Sequence, residues 1–504
     1  LKAERLRTLA LFALAVGIRL LYICPMPETV AIGSTDAWGY HRLALNLNQG
    51  NGFSLQREAP YLPDSVRTPL YPAFLWLIRQ AFGPSPRTAA VSQALLDGLS
   101  TLLTRQIAAR LGGLRAGRVA GLLYALNPTQ VRYAGELLTE TLLSFLLALC
   151  ILCLIEYLRR VSTAPSPVTL LSCSQTTVPG VARRTMARPA LPARTTLWTG
   201  LIGAFGGLAA LCKPNVQFLP LVWLLVVCLA RRKDWRRAAT DAAALLGVFL
   251  LLILPWVVRN RLVFGRWFFS AAFEGNVSRV SAPAALLTAR GEYAIPWSED
   301  WEAAFGEIVA QTAARYNWSK PWDALTAREL DTANHQVYLI ARQVLRRHPA
   351  AWLVSHVQGM GRYLEPQTYR VCYARFSGQE WPPHILDDAV IHVIRALGRA
   401  DWAQAGQIIS EERWSKLDPL QGLIWWATFA GQILGLVLVY RGARRLSSRP
   451  VLLVALLLTI GYVLWIPGPI AYERFRVPVT SPILALLGTA IDSPRRSPIE
   501  PRDK

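Results

Sequence analysis

The stretch LLTETLLSFLLALCILCLIEYLRR, residues 137–160, decides the class of fold. Between Glu140 and Glu156 it carries no charge, and its apolar residues leave no polar face. A helix that is apolar all round is buried in a large core or in a membrane. Residues 137–158 are long enough to cross a bilayer, which takes about 20 residues. Glu136 and Glu140 stand at one end of the run, Arg159 and Arg160 at the other. Arginine and lysine gather on the cytoplasmic side of a membrane protein, so the carboxylates are expected at the outer surface. Their spacing of four places both on one helix face.

The rest of the chain agrees. It has 504 residues, of which 53% are hydrophobic and only 17% charged, and its mean hydropathy is +0.28. A soluble protein of this size needs more charge on its surface. The net charge of +22 and pI near 10.2 would suit a nucleic-acid binder. The basic residues instead flank apolar runs, as the positive-inside rule requires, so nucleic acid is set aside. Most of the seven cysteines lie in apolar segments. Cys150 and Cys153 form a C-x-x-C inside one of them, which reads as two small buried hydrophobes; no disulfide framework is expected.

Working outward, apolar length and basic flanks give about ten crossings. The first, 8–24, follows Lys2, Arg5 and Arg7 and has no clear small-residue cleavage site, so it reads as an uncleaved anchor. The others are 88–111, 119–128, 137–158, 197–211, 218–230, 238–258, 420–440, 451–466 and 477–491. Segment 69–82 is apolar but short. A full crossing there would turn every later basic cluster outward, so it is expected to be interfacial or re-entrant. Residues 159–196 carry Arg183, Arg184, Arg188 and Arg194 with no acidic residue after Glu156, and are rich in Pro, Ser and Thr. They read as a loosely ordered cytoplasmic linker. Residues 259–419 form a mixed, aromatic-rich outer region, too long for a plain loop, with 349–363 as an amphipathic or partly inserted helix. Three parts follow: a membrane body, 1–258; an outer helical region, 259–419; and C-terminal membrane helices, 420–504.

This topology gathers charge on one side. Asp36 lies in the first outer loop, within DAWGYHRLALNL. Glu136 and Glu140 open the fourth span, Lys213 closes the fifth and Arg259 the seventh, and Glu473, Arg474 and Arg476 precede the tenth. Charges at a membrane surface are costly to desolvate and so suggest a purpose. Carboxylates deprotonate a hydroxyl or hold a divalent cation, while guanidinium groups match phosphate oxygens in pairs. Each residue also has a bland reading. An acid at a helix start stabilises the dipole, Lys213 and Arg259 snorkel to headgroups, and Asp36 is an ordinary N-cap. Arg19 and Asp97 lie inside apolar spans; Asp97 pairs with a neighbouring cation or joins a site, and the structural reading is preferred although intramembrane charges are candidates for function. His335, His348 and His356 lack metal-ligand spacing. Trp297, Trp301, Trp318 and Trp322 suit an interfacial belt.

Six strings in order carry a resemblance: Asp36-x-x-x-Tyr40, RTPLYP (67–72), LLTETLLSF (137–145), GLAALCKP (207–214), PWVVRN (255–260) and ERFRVPV (473–479). The set resembles the GT-C glycosyltransferases, in the branch of protein O-mannosyltransferases and the lipid A aminoarabinose transferase. The resemblance implies an all-α integral membrane bundle of the GT-C type, with interfacial helices in the first outer loop and a site on the extracytoplasmic face. It implies a sugar donor linked to a polyprenyl phosphate, inversion at the transferred carbon, and a glycan, lipid or protein acceptor at a plasma (bacterial inner) membrane. Its catalytic carboxylate maps to Asp36. Its second acidic position is commonly Asp and here is Glu140. Arg67, Tyr71, Lys213, Arg259, Arg474 and Arg476 fall at positions expected to bind the donor phosphate; Lys213 stands where Arg is common. Some members carry a divalent cation near the acidic pair and others do not, which leaves a metal at Asp36 and Glu140 open. Two other readings remain: a transporter or flippase for a lipid-linked glycan, and a polymerase or ligase of such glycans. Transporters usually show internal repeats, and none is visible here.

Overall fold

The computed structural model describes residues 2–163, 193–292, 294–364, 367–378, 396, 401–410 and 419–491. Most of the 159–196 linker, parts of the 259–419 region, and Arg495 and Arg496 lie outside them. Among the described residues the regular structure is helical, and the extended pairing is an isolated bridge between Ser54 and Pro63.

Every apolar run read from the sequence is occupied by a helix. Among the described residues, five helices are long and apolar enough to cross a membrane: Lys2–Ile23, Glu140–Ser162, Thr195–Cys212, Trp235–Phe264 and Pro419–Arg445. Pro450–Trp465 and Leu219–Ala230 are apolar but shorter. Pro86–Gly112 has the length, 27 residues, but carries Asp97, Arg105 and Arg110.

Of the five, the helix that begins at Glu140 is the most enclosed, with 72% of its apolar stretch buried, whereas Pro419–Arg445 buries 6%. It packs against Pro86–Gly112 on one side and Ala193–Cys212 on the other. The helix Pro419–Arg445 rests mainly on Thr480–Ile491 and leaves Leu423, Ile433, Leu434 and Val437 exposed, as a lipid-facing helix does. Small residues set the closest crossings, as in membrane bundles generally. A side chain at Gly203 would strike the Leu245 carbonyl, and one at Gly442 the Leu486 carbonyl.

Arg19 and Asp97 pair inside the bundle, as expected of structural charges. Arg19 Nε donates to Asp97 Oδ2 at 2.7 Å, and its Nη1 to the carbonyls of Ala15 and Ala125. Tyr124 donates to the other Asp97 oxygen at 2.9 Å. Both charges are fully enclosed, and together they join the helices Lys2–Ile23, Pro86–Gly112 and Leu114–Ala125.

Two elements position the loop side of the site. Leu70–Phe82 has 13 residues, about 20 Å at 1.5 Å per residue, too short to cross an apolar layer of about 30 Å. It packs on Thr35–Asn48, the helix formed by DAWGYHRLALNL. The side chain capping that helix belongs to Ser34, whose Oγ accepts from the Ala37 amide at 3.2 Å. Asp36 lies two positions inside, so it is not the N-cap.

The i,i+4 reading of Glu136 and Glu140 is also overturned. Pro128–Gly135 ends before Glu136, which is extended, and the next helix opens only at Glu140. The two carboxylates therefore do not share a helix face, and Glu136 pairs with Arg132 at 2.9 Å.

Between Trp235–Phe264 and Pro419–Arg445, four helices pack together: Ala282–Ala289, Glu299–Tyr316, Ala327–Arg347 and Pro349–Gly361. Their core includes Ile308, Val337, Ile340 and Val344. Arg266 ties this layer down by pairing with Glu274 at 2.8 Å and Asp331 at 2.5 Å. The helix Pro349–Gly361 packs through Ser355, His356 and Gly359 and turns Leu353, Val354 and Val357 outward, an apolar face suited to a membrane surface.

Candidate functional site

Four segments far apart in sequence bring their charges to one place. The loop helix Thr35–Asn48 supplies Asp36, and the buried helix Glu140–Thr163 supplies its first residue. Lys213 follows the last turn of Ala193–Cys212, where Pro214 breaks the helix into a 3-10 turn. Arg474 lies in the short helix Glu473–Arg476.

Arg474 is the hub. Its Nη1 donates to Asp36 Oδ2 at 2.8 Å, and its Nε donates to Glu140 Oε1 at 2.6 Å. Lys213 Nζ donates to the same Glu140 oxygen at 2.6 Å. The other Glu140 oxygen accepts from the Thr139 hydroxyl at 3.2 Å. Glu140 is wholly buried, whereas the Asp36 side chain keeps 48% of its surface. One carboxylate therefore holds the cations in place while the other stays accessible. Phe475 lies beneath both cations, 5.0 Å from Lys213 Nζ and 5.9 Å from the Arg474 guanidinium.

Arg67 approaches from the loop. Its Nη2 is 3.6 Å from Asp36 Oδ1 and its guanidinium lies 5.4 Å above the Tyr40 ring. Asp64 fixes its backbone, Oδ2 accepting from the Arg67 amide at 2.7 Å. Tyr71 stands behind: its ring meets Tyr40 edge-on at 5.0 Å, and its hydroxyl donates to Gln93 at 2.6 Å. Gln93 in turn donates to the carbonyls of Ala134 and Glu136.

Two of the expected donor-binding residues lie apart. Arg259 donates to the Asp64 carbonyl at 3.1 Å and to Asn260, stacked among Phe53, Trp256 and Phe264; its link to the cluster runs through Asp64. Arg476 turns away, donating to the Tyr363 carbonyl at 3.0 Å. Glu473 is buried in a neighbouring network, accepting from the Thr129 hydroxyl and, at 2.7 Å, from the Thr368 amide. Asp64 was not singled out in the sequence. Its signal is local: an Asp three residues before Arg67, placed for a side-chain-to-amide turn.

The surroundings tune the charges. Burial pushes the Asp36 carboxyl up, but attraction and a hydrogen bond from Arg474, with Arg67 and Lys213 behind it, outweigh burial and hold its pKa below the ordinary value. Burial lowers the Lys213 ammonium; Glu140 opposes this and Arg474 adds to it, leaving Lys213 below an ordinary lysine. Burial raises the Tyr40 hydroxyl, and the nearby Asp36 charge raises it further, so it stays protonated.

A divalent cation at Asp36 and Glu140 does not suit this donor set. Arg474 bridges the two carboxylates and Lys213 shares the same Glu140 oxygen, so the chain's own cations stand where a metal ion would have to join them. Among the described residues, no group of three or more His, Cys, Asp or Glu side chains is placed to hold a metal. The arrangement fits a guanidinium.

Lys213 has a second neighbour surface. It lines an apolar cleft with Leu143, Val216, Val463, Ile466 and Phe475.

No protein-family model matches the chain, and no curated protein matches it. Among solved structures it is similar to the apo form of the Archaeoglobus fulgidus oligosaccharyltransferase, with 14% identity, 95% of this chain and 50% of that one covered, and a TM-score of 0.47. It is similar to AglB from the same archaeon in complex with an inhibitory peptide and a dolichol-phosphate, with 14% identity, 96% and 50% coverage and a TM-score of 0.47. It is also similar to ArnT from Cupriavidus metallidurans bound to undecaprenyl phosphate, with 15% identity, 96% and 77% coverage and a TM-score of 0.40. The chain spans about half the length of the archaeal structures. What its site does is read from the site's own residues.

Proposed function

We propose that this chain is a membrane glycosyltransferase of the GT-C kind, moving a sugar from a polyprenyl phosphate to an acceptor on the extracytoplasmic face. The observation that carries the reading is the Asp36–Arg474–Glu140–Lys213 cluster: an accessible carboxylate beside cations that a buried carboxylate holds in place. A transferase of this type needs a base for the acceptor hydroxyl and cations for the leaving phosphate, at one depth. The six sequence strings support the same reading.

In this mechanism the acceptor oxygen attacks the anomeric carbon as its proton passes to Asp36. The bond from that carbon to the phosphate oxygen breaks, with inversion, and the lipid phosphate departs with both electrons. Arg474, Lys213 and Arg67 stabilise the charge that develops on it, which is the largest kind of catalytic contribution in many enzymes. Tyr71 supports the site from behind Tyr40, and Arg259 supports it through Asp64. Arg476 is assigned no contact with phosphate.

The proposed setting is a bundle of about ten crossings in a bacterial inner membrane. Its parts are a membrane body at 1–258, an extracytoplasmic region at 259–419 and C-terminal helices at 420–504. The test is direct: purified protein receives a radiolabelled polyprenyl-phosphate sugar together with membrane lipids and cell-envelope glycans as acceptors. Release of the free lipid phosphate is expected. Movement of intact lipid-linked glycan across vesicles, with no such release, would show a flippase instead.

A further inference from the structure

Gly39 sits in the interior of the helix Thr35–Asn48, a position where glycine is disfavoured. Its backbone is helical and does not require glycine. Space does. A Cβ at residue 39 would lie 2.5 Å from Arg67 Nη2, 2.8 Å from Arg67 Cζ and 3.0 Å from Arg67 Nε. The three nearest atoms all belong to one guanidinium group.

That guanidinium is held in place but not used up. The Arg67 side chain is 15% exposed, and its backbone is fixed by the bond from its amide to Asp64. Yet Nη2 stands 3.6 Å from Asp36, Nη1 stands 3.9 Å from Asp64, and the buried Nε has no hydrogen-bond partner among the described residues. The head is near two carboxylates and at hydrogen-bond distance from neither. Residues 36, 39 and 40 share one face of the helix, so the gap at Gly39 lies between Asp36 and the Tyr40 ring on which Arg67 rests.

We propose that Gly39 is a positioning residue: the space of its missing side chain seats the Arg67 guanidinium beside Asp36 with its Nη donors left for an anion. The anion's identity as a lipid phosphate rests on the function proposed above; the seat itself rests on the geometry.

The clash created by Gly39→Ala falls on the far end of a flexible side chain, so the protein is expected to fold while Arg67 is displaced. The experiment is a cycle of four full-length proteins in detergent: wild type, Gly39→Ala, Arg67→Ala and the double variant. Binding of a polyprenyl phosphate is measured for each, together with the thermal midpoint. With Arg67 present, Gly39→Ala is expected to weaken binding about tenfold, the order of one charge-assisted hydrogen bond. With Arg67→Ala already in place, it is expected to cost nothing further. The midpoints should show the same coupling: alanine raises the midpoint when residue 67 is alanine, by helix propensity, and gives less or none of that gain when Arg67 must move. Wild-type affinity in Gly39→Ala, or an equal loss in both backgrounds, overturns the proposal. If wild type binds no polyprenyl phosphate, the proposed function fails, and the thermal coupling alone decides whether the seat exists.

Discussion

Arg474 donates a 2.8 Å hydrogen bond to Asp36 across a sequence separation of 438 residues. Each of the two determines what the other can do. Asp36 gains a cation that keeps its carboxylate charged, and Arg474 gains a counter-ion at the accessible end of the site. Asp36→Asn separates the chemistry from the scaffold. Ser34 caps the helix, so the change removes no cap, and Asn still accepts a hydrogen bond from Arg474. Folding is expected to survive while turnover falls about a hundredfold or more, as for loss of a general base. Turnover close to wild type would remove Asp36 from catalysis.

Arg474 also serves the buried Glu140. Arg474→Ala leaves that carboxylate with Lys213 as its remaining cation. Breaking one partner of a buried pair typically costs about 3–5 kcal/mol, so a lower thermal midpoint is expected along with lost turnover. Arg474→Lys keeps a charge but cannot present Nε and Nη1 to two carboxylates. It should recover stability in part and turnover poorly. Full recovery of both by lysine would show that the bridge is dispensable.

The membrane helices were legible because apolar length is a one-dimensional signal, and residues 137–160 carry it without interruption. Asp36, Glu140, Lys213 and Arg474 were legible as charges at the ends of such runs. Which charge faces which was not. Arg476 follows Arg474 by two residues, and a two-residue step on a helix turns a side chain well away; Arg476 reaches Tyr363 instead. Glu136 misled for another reason: the chain leaves the helix before it and re-enters only at Glu140, so a spacing that holds only within a helix did not apply. Gly39 gave no signal, since its role depends on Arg67 arriving from another segment.

Lys213 gives a prediction in pH. Its ammonium is lowered by burial, so its charge is lost as pH rises through a value below that of an ordinary lysine. If the ammonium holds the leaving phosphate, turnover has an alkaline limb at that point. Arginine stays charged throughout this range, so Lys213→Arg is expected to move the limb upward, whatever it does to the maximum. At the acid end, Asp36 lies below the ordinary carboxylate value, and turnover should persist until pH falls beneath the usual carboxylate range. An alkaline limb unmoved by Lys213→Arg would remove Lys213 from the phosphate's partners.

The charges inside the bundle are testable apart from the site. Arg19 and Asp97 are fully enclosed, and each satisfies the other: Arg19 also reaches the Ala125 carbonyl at 2.7 Å, and Asp97 also accepts from Tyr124. Such a pair contributes little net stability, because desolvating both ions offsets most of their attraction. Removing one ion is a different matter. Asp97→Asn keeps the shape and most hydrogen bonds but leaves the Arg19 charge without its counter-ion. A loss of about 3–5 kcal/mol is expected, measured as a fall in the unfolding midpoint in detergent. Replacing both by apolar residues of similar size, Arg19→Met with Asp97→Leu, removes the uncompensated charge and should recover much of the loss, although Tyr124 then gives up its Asp97 acceptor. A double variant less stable than Asp97→Asn would mean that the pair itself, rather than the avoidance of a lone charge, joins these helices.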